Sequence, residues 1–199
     1  MKVILHHNFI KKILILLSTS IFLISCSTTK SIQKSEINPV YITNTKKFYL
    51  LSPENIQGNI DKVQLLQGSF GDNSFSINSY LQADSNGIFL SLFNDLGSGM
   101  GDLNYDGNGV LFESSIFPKK LKAEYIIADL QFAYYKSEAL QQALSLLGLD
   151  FSSETLEDGT KVRLIKNKNN IIEEIKQKDG VLTIENKLRN YKYVLTEGE

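Results

Sequence analysis

Apolar and polar positions alternate with period two along most of the chain from residue 63 to residue 196. Val63 to Phe70 and Ser74 to Leu81 flank Gly71-Asp72-Asn73, and Asp84-Ser85-Asn86-Gly87 leads into Ile88 to Phe93. Met100 to Tyr105 and Val110 to Ser115 flank Asp106-Gly107-Asn108-Gly109, and Pro118 ends this first block. In a second block, Thr160 to Ile165 meets Ile171 to Gln177 across Asn167-Lys168-Asn169-Asn170. Lys178-Asp179-Gly180 then turns into Val181 to Asn186, and Tyr191 to Thr196 follows. The joining stretches are short and rich in Gly, Asn and Asp, which is the chemistry of antiparallel hairpins. The two blocks predict about nine strands in a meander, and the short apolar segment Lys46 to Leu51, ending at Pro53, precedes them.

One stretch between the blocks breaks the rhythm: LKAEYIIADLQFAYYKSEALQQALSLLGL, Leu121 to Leu149. Ile126, Leu130, Ala133 and Tyr134, then Leu140, Ala143, Leu144 and Leu147, recur at spacings of three and four, which predicts a helical insert over about 119–148. Ser137 starts a second helix and Gly148 stops it. Because Ile126, Ala128, Leu130, Phe132 and Tyr134 also alternate at period two, a strand is the rival reading there. The expected fold is mainly β with a helical insert (α+β). It is an antiparallel, incompletely closed β-barrel or curled sheet capped by helices, with a closed barrel as the alternative.

The head of the chain differs in kind. Lys2, Lys11 and Lys12 precede an apolar run from Ile13 to Ile24 that is too short for a comfortable membrane span, and Leu23-Ile24-Ser25-Cys26 closes it. This predicts an export signal over residues 1–25, with an uncleaved signal anchor as the alternative. The closing tetrapeptide resembles the lipobox of bacterial lipoproteins, in which the Cys is acylated and the chain is cut before it. On that resemblance Cys26 is the lipid-attachment residue, and it is the only Cys in the chain. Several acyl chains on one residue anchor stably where one does not. By analogy with the sorting rule of enteric lipoproteins, Ser27 in place of Asp directs the protein to the outer membrane, facing the periplasm. Residues 26–45, polar through STTKSIQKSEINPV, read as the lipidated N-terminus and tether. Residues 46–199 read as a single domain.

Cleavage changes the charge. The whole chain has 21 basic and 22 acidic residues. Removing three Lys leaves 18 against 22, a formal charge of −4. Such a surface does not attract nucleic acid or anionic head groups through a basic patch.

Cleavage also narrows the chemistry. His6 and His7 leave with the signal and Cys26 is taken by acylation, so the mature domain has neither His nor free thiol for nucleophilic catalysis or for nitrogen and sulfur metal sites. Carboxylates remain: Asp129, with Glu124 and Glu138, could form an acidic site. A surface acid, or one bonded to a strand-end amide, is the plainer reading. Asp102, Asn104, Asp106, Gly107 and Glu113 match the calcium-loop pattern D-x-[DN]-x-[DN]-G-x5-E, but no helix flanks them. They read as a hairpin. The glycines at 97, 99 and 101 lack the following helix of a phosphate-binding loop. No enzyme activity, cofactor or metal is expected.

The segment LSLFNDLGSGMGDLNYDG from Leu90, the Phe117-Pro118 step and Ile126-Ile127-Ala128-Asp129-Leu130-Gln131 resemble an uncharacterised family of bacterial outer-membrane lipoproteins. Its members are often encoded near aryl-polyene or related clusters, beside a large membrane exporter. The likeness runs from about Leu50 to Thr196, and the chain departs from it in the Gly-rich stretch at 97–101. The resemblance implies an architecture like that of the lipoprotein-localisation factors LolA and LolB, an incomplete barrel whose helices cap an apolar cavity for acyl chains. It carries over no catalytic residues. The expected function is binding or handing over an acyl or polyene lipid, or a lipoprotein acyl chain. Ile126, Leu130, Ala133 and Tyr134 are the candidate cavity residues, and an envelope exporter is a candidate partner. The alternative is a structural or accessory envelope lipoprotein that acts through its surface without a ligand. Cys26→Ser removes the acceptor for the acyl group, so the variant should keep the precursor mass and lose its association with the outer membrane. A mature mass in membrane fractions would overturn the lipoprotein assignment.

Overall fold

The computed structural model describes residues 34–35, 37–117 and 121–198. The signal, Cys26 and the first residues of the helical insert lie outside them. The described residues belong to one compact unit, Ile32–Glu199.

Ten strands form one antiparallel meander interrupted by two helices. The first half is β4 (Ile60–Phe70), β5 (Asn73–Asp84), β6 (Gly87–Phe93), β7 (Gly99–Tyr105) and β8 (Val110–Ser114). Helices α1 (Ala123–Tyr134) and α2 (Ser137–Ser145) follow. The second half is β9 (Asp150–Thr155), β10 (Lys161–Asn167), β11 (Asn170–Lys178), β12 (Val181–Asn186) and β13 (Tyr191–Glu197). The halves join where β4 pairs with β13, Leu66 opposite Leu195. A two-residue strand β1 (Lys34–Ser35) adds to the β8 edge, giving the order β1-β8-β7-β6-β5-β4-β13-β12-β11-β10-β9. A second small sheet pairs β2 (Val40–Tyr41) with β3 (Lys47–Phe48).

The order is linear and its ends do not pair, so the sheet is open and the closed-barrel alternative is set aside. It nevertheless curls. Near one end of the sheet β8 touches α1, and near the other Arg163 of β10 donates through Nη1 to the carbonyls of Phe132, 2.9 Å, and Tyr135, 2.8 Å. Strands so far apart in the sheet meet one helix only by wrapping around it.

That wrapping settles the contest over residues 126–134. They are helical, and both faces of α1 are covered: Ile127, Ala128, Leu130, Phe132 and Ala133 are all buried, as are Glu124, Asp129 and Gln131. A helix enclosed on every side needs no single apolar stripe, which is why its period was blurred. Among the described residues no helix is long and apolar enough to cross a membrane.

The turns are those the sequence marked. Asp179 and Gly180 (φ 48° and 75°) make a two-residue hairpin of the primed kind, and Gly71 (φ 56°) and Lys168 (φ 57°) occupy the same left-handed region. The sequence reading missed β9, whose only buried residue is Phe151. The tether expected through residue 45 ends earlier. Val40, Ile42 and Phe48 belong to the core, and the Nδ2 of Asn38 donates to Glu124 at 3.0 Å. Within the stretch read as tether, a polar composition concealed two apolar anchors, Val40 and Ile42.

Ser137 is the first residue of α2, and the N-cap position falls on Lys136, whose side chain makes no capping hydrogen bond. Gly148 does end that helix. At φ 63°, it lets the Leu149 N–H donate to the Leu144 carbonyl at 3.0 Å. An added Cβ at Gly148 would also lie 3.1 Å from the Nζ of Lys46, which donates to the Leu147 and Gly148 carbonyls. Gly148→Ala should therefore lower stability by about 1–2 kcal/mol, read as a lower denaturant midpoint with an unchanged slope.

Candidate functional site

An apolar cavity of about 270 Å³ lies between α1 and the inner face of β4, β5, β6, β12 and β13. Its deep wall is Leu66, Leu90, Leu92, Leu130, Ile184 and Leu195, all buried. Half-buried Phe70, Phe75, Phe117, Leu121, Ile126 and Tyr193 line the rest. Strand alternation explains the deep wall, because Leu90 and Leu92 on β6 and Leu66 opposite Leu195 all present the same face inward.

Four aromatic rings build one side. Phe70 and Phe75 stack at 6.1 Å, Phe75 meets Phe117 edge-on at 5.3 Å, and Phe70 meets Tyr193 edge-on at 5.4 Å. Phe75 lies over its cross-strand partner Gly68, whose missing Cβ makes room for the ring: a built Cβ would stand 2.2 Å from the ring's Cε1.

Among the described residues one charged side chain lines this cavity, Asp129. It is neither a surface acid nor a strand-end partner. The Tyr191 hydroxyl donates to its carboxyl, 2.9 Å from each oxygen. Tyr191 lies beside Asn186 of β12, and Asn186 beside Glu173 of β11, so one row of the sheet carries all three. Asn186 donates through Nδ2 to Glu173 Oε2 at 3.0 Å, while Glu173 Oε1 is buried without a partner. Burial and then the Glu173 charge push the Asp129 carboxyl well above the usual carboxylate range, against the pull of the Tyr191 hydrogen bond and Arg189. Burial pushes Glu173 up to about 7, opposed by Asn186 and Arg189. Arg189 itself donates to the Tyr41 and Ile42 carbonyls and packs over the Tyr125 ring, 5.1 Å from its centroid.

The sequence candidates are thus divided. Ile126 and Leu130 line the apolar cavity; Ala133 and Tyr134 do not. They face a separate, more polar cleft of about 450 Å³ with Lys62, Ser137, Glu154, Lys161 and Arg163. Helical geometry accounts for this, since Ala133 and Tyr134 sit at the far end of α1 from Ile126. Burial raises the Tyr134 phenol to about 12. The three candidate acids of the insert do not meet either. Glu124 bonds Asn38, Asp129 bonds Tyr191, and Glu138 is exposed. Glu173, Asn186 and Tyr191 escaped sequence reading because they lie 44 to 62 positions from Asp129 in strands whose pattern is ordinary; an acid at an inward position of β11 was the one local sign.

The calcium-like stretch is the β7–β8 hairpin. Asp106 Oδ1 accepts from the Asn108 and Gly109 N–H groups at 2.8 and 2.9 Å, and Asp102, opposite Glu113, accepts from the Ser91 hydroxyl at 2.7 Å. Among the described residues no cluster of three or more His, Cys, Asp or Glu could hold a metal ion.

The two buried acids set a direction for pH. Both hold protons more tightly folded than unfolded, so their contribution to stability is fullest in acid. It falls as pH rises from the ordinary glutamate value of 4.5 through about 7. For Glu173 the loss approaches about 3 kcal/mol. Glu173→Gln should flatten this decline between about pH 5 and pH 8, seen in denaturation midpoints of parent and variant measured side by side. An equal slope in both would show that Glu173 does not carry it.

No curated protein matches the chain. A family model does: the family described as "Protein of unknown function (DUF3261)" matches residues 61–198, from the second residue of β4 to one residue past β13, and the chain belongs to that family.

Proposed function

We propose that this protein is an outer-membrane lipoprotein, anchored through Cys26 and facing the periplasm, that binds or hands over an acyl or polyene lipid or a lipoprotein acyl chain. The observation that carries the reading is the cavity between α1 and the sheet, with Ile126 and Leu130 in its lining. Its walls are hydrocarbon and aromatic, and its volume of about 270 Å³ is close to the lower end of small-ligand sites. An open, curled sheet around a helix also agrees with an architecture like that of LolA and LolB, and the export signal and lipobox resemblance agree with the location. An acyl chain fits such walls because it asks for no hydrogen bonds and gains from leaving water. The activity is binding, without catalysis, and an exporter in the envelope is a partner to which a bound lipid could pass.

The test separates a cavity from an ordinary core. Leu130→Asn places an amide where an acyl chain would lie. In a filled core the unsatisfied amide alone costs about 1–3 kcal/mol. Beside a void it can be hydrated, and binding should fall further than stability. Ile126→Trp, at a half-buried position, should block the cavity with little loss of stability. Displacement of a fluorescent fatty acid or phospholipid from the unit Ile32–Glu199, run beside thermal denaturation, reads both. A parent that binds no lipid, with a Leu130→Asn variant that simply unfolds, would return the reading to the structural alternative.

A further inference from the structure

Every second hairpin of an antiparallel meander lies at the same end of its sheet. Here the turns at 71–72, 94–98 and 187–190, with the stretch 115–117 after β8, close the strands at one end. Phe70, Phe75 and Phe117 of the cavity's half-buried rim stand beside those turns, so the apolar cavity opens at this end. Three large apolar side chains are exposed there too: Leu96 at 90%, Leu188 at 47% and Ile116 at 40%. Leu96 is held outward by a closed turn. Asn94 Oδ1 accepts from the Leu96 and Ser98 N–H groups at 3.0 and 2.9 Å, and the Gly97 N–H donates to the Asn94 carbonyl at 2.8 Å. Ile116 directly precedes the rim residue Phe117. The turns of this end carry Asp72 and Asp95 as well as Lys187 and Arg189, so apolar tips and not net charge distinguish it.

We infer that this end of the sheet docks on the surface of a lipid bilayer, with Leu96, Ile116 and Leu188 entering the head-group region and the cavity mouth facing it. A lipid chain then passes between bilayer and cavity without crossing water. The docking needs no occupant in the cavity; the passage rests on the binding reading above. A single exposed leucine is ordinary, and Leu156, 45% exposed in the β9–β10 turn at the opposite end, is such a case. Leu96, Ile116 and Leu188 differ because they share one end with the mouth of an apolar cavity, where the surface that leaves water on docking is continuous with the cavity wall. The strand β1 agrees with this orientation. It places Lys34 opposite Leu111 and Ser35 opposite Val110, so it runs away from the mouth, and the chain comes to it from the mouth side.

The unit Ile32–Glu199, which lacks Cys26, should float with phosphatidylcholine vesicles in a density gradient, with little dependence on salt. Leu96→Ser should weaken the association about three- to tenfold, and Ile116→Ser added to it should weaken it further. Leu156→Ser should leave it unchanged. The chain has no Trp, so Leu96→Trp supplies a single reporter whose emission should move to shorter wavelength with vesicles, while that of Leu156→Trp should not. Both positions are exposed, and thermal melts matching the parent establish that the variants fold. A parent that stays in solution beside the vesicles, or a loss in Leu156→Ser as large as in Leu96→Ser, overturns this inference. So does a parent that self-associates through Leu96 in the absence of vesicles, which would make this end an interface between copies. Displacement of a soluble fluorescent fatty acid reads the cavity alone and should be unchanged in Leu96→Ser, so the binding reading stands or falls separately.

Discussion

A helix enclosed on every side must find a protein partner for each polar atom it carries, and α1 carries three buried polar side chains. Much of the fold is arranged to meet that demand. Gln131 is fully satisfied: its Oε1 accepts from the Leu51 N–H at 2.9 Å, and its Nε2 donates to the Leu51 carbonyl at 2.9 Å and to the Tyr135 hydroxyl at 3.2 Å. In effect its amide stands in for a strand neighbour to residue 51. Glu124 is met by Asn38, in a segment that also delivers Val40 and Ile42 to the core. Lying in the first turn of α1, it also complements the positive end of the helix. The C-terminal carbonyls of α1 go to Arg163, and the linker to α2 pairs with the chain at Asn55–Gln57.

Asp129 is the exception in degree. Its partner is a phenol, and a second acid stands behind it with one oxygen unsatisfied. A buried acid pair of this kind disfavours the folded state at neutral pH, and an apolar pair of the same shape would remove the penalty. The same helix shows in Gln131 that full satisfaction was attainable. Glu173 Oε1 shares its unpartnered state with Gln64 Oε1 of β4, so two buried oxygens of the sheet are left without the partner that Gln131 finds on the helix.

The strands were legible because their signals are local. Asp179-Gly180 announces a hairpin whatever lies elsewhere, and the alternation of β6 needs no knowledge of its neighbours. The edge strand β9 was not legible, because a strand with one buried side chain has no alternation to read. Nor was the packing of residues 37–48, whose anchors are isolated apolar residues in polar sequence. The candidate site was half legible: a periodicity of three and four put Ile126, Leu130, Ala133 and Tyr134 on a common face. What separated them was the sheet, which closes around one end of α1 with leucines and phenylalanines and around the other with Lys62, Lys161 and Arg163. The acid pair was invisible for a related reason. Glu173 and Asp129 come together only through strand order, and that order joins β4 to β13 across most of the chain.

The cavity itself raises the question of what fills it. Six of its lining residues are half-buried, so the cavity opens toward solvent and its apolar wall meets water where nothing covers it. Apolar surface left in water forgoes about 25 cal/mol per Å², and a water held deeper finds few of the two to four polar partners it needs among the described lining residues. Collapse is one remedy, yet the wall is built to resist it: Gly68 leaves a seat for the Phe75 ring, Phe70 and Phe117 brace that ring, and Tyr193 braces Phe70. A wall that is held apart and too apolar for water gains most from an apolar occupant, and a flexible chain can fill it without disturbing the braced rings.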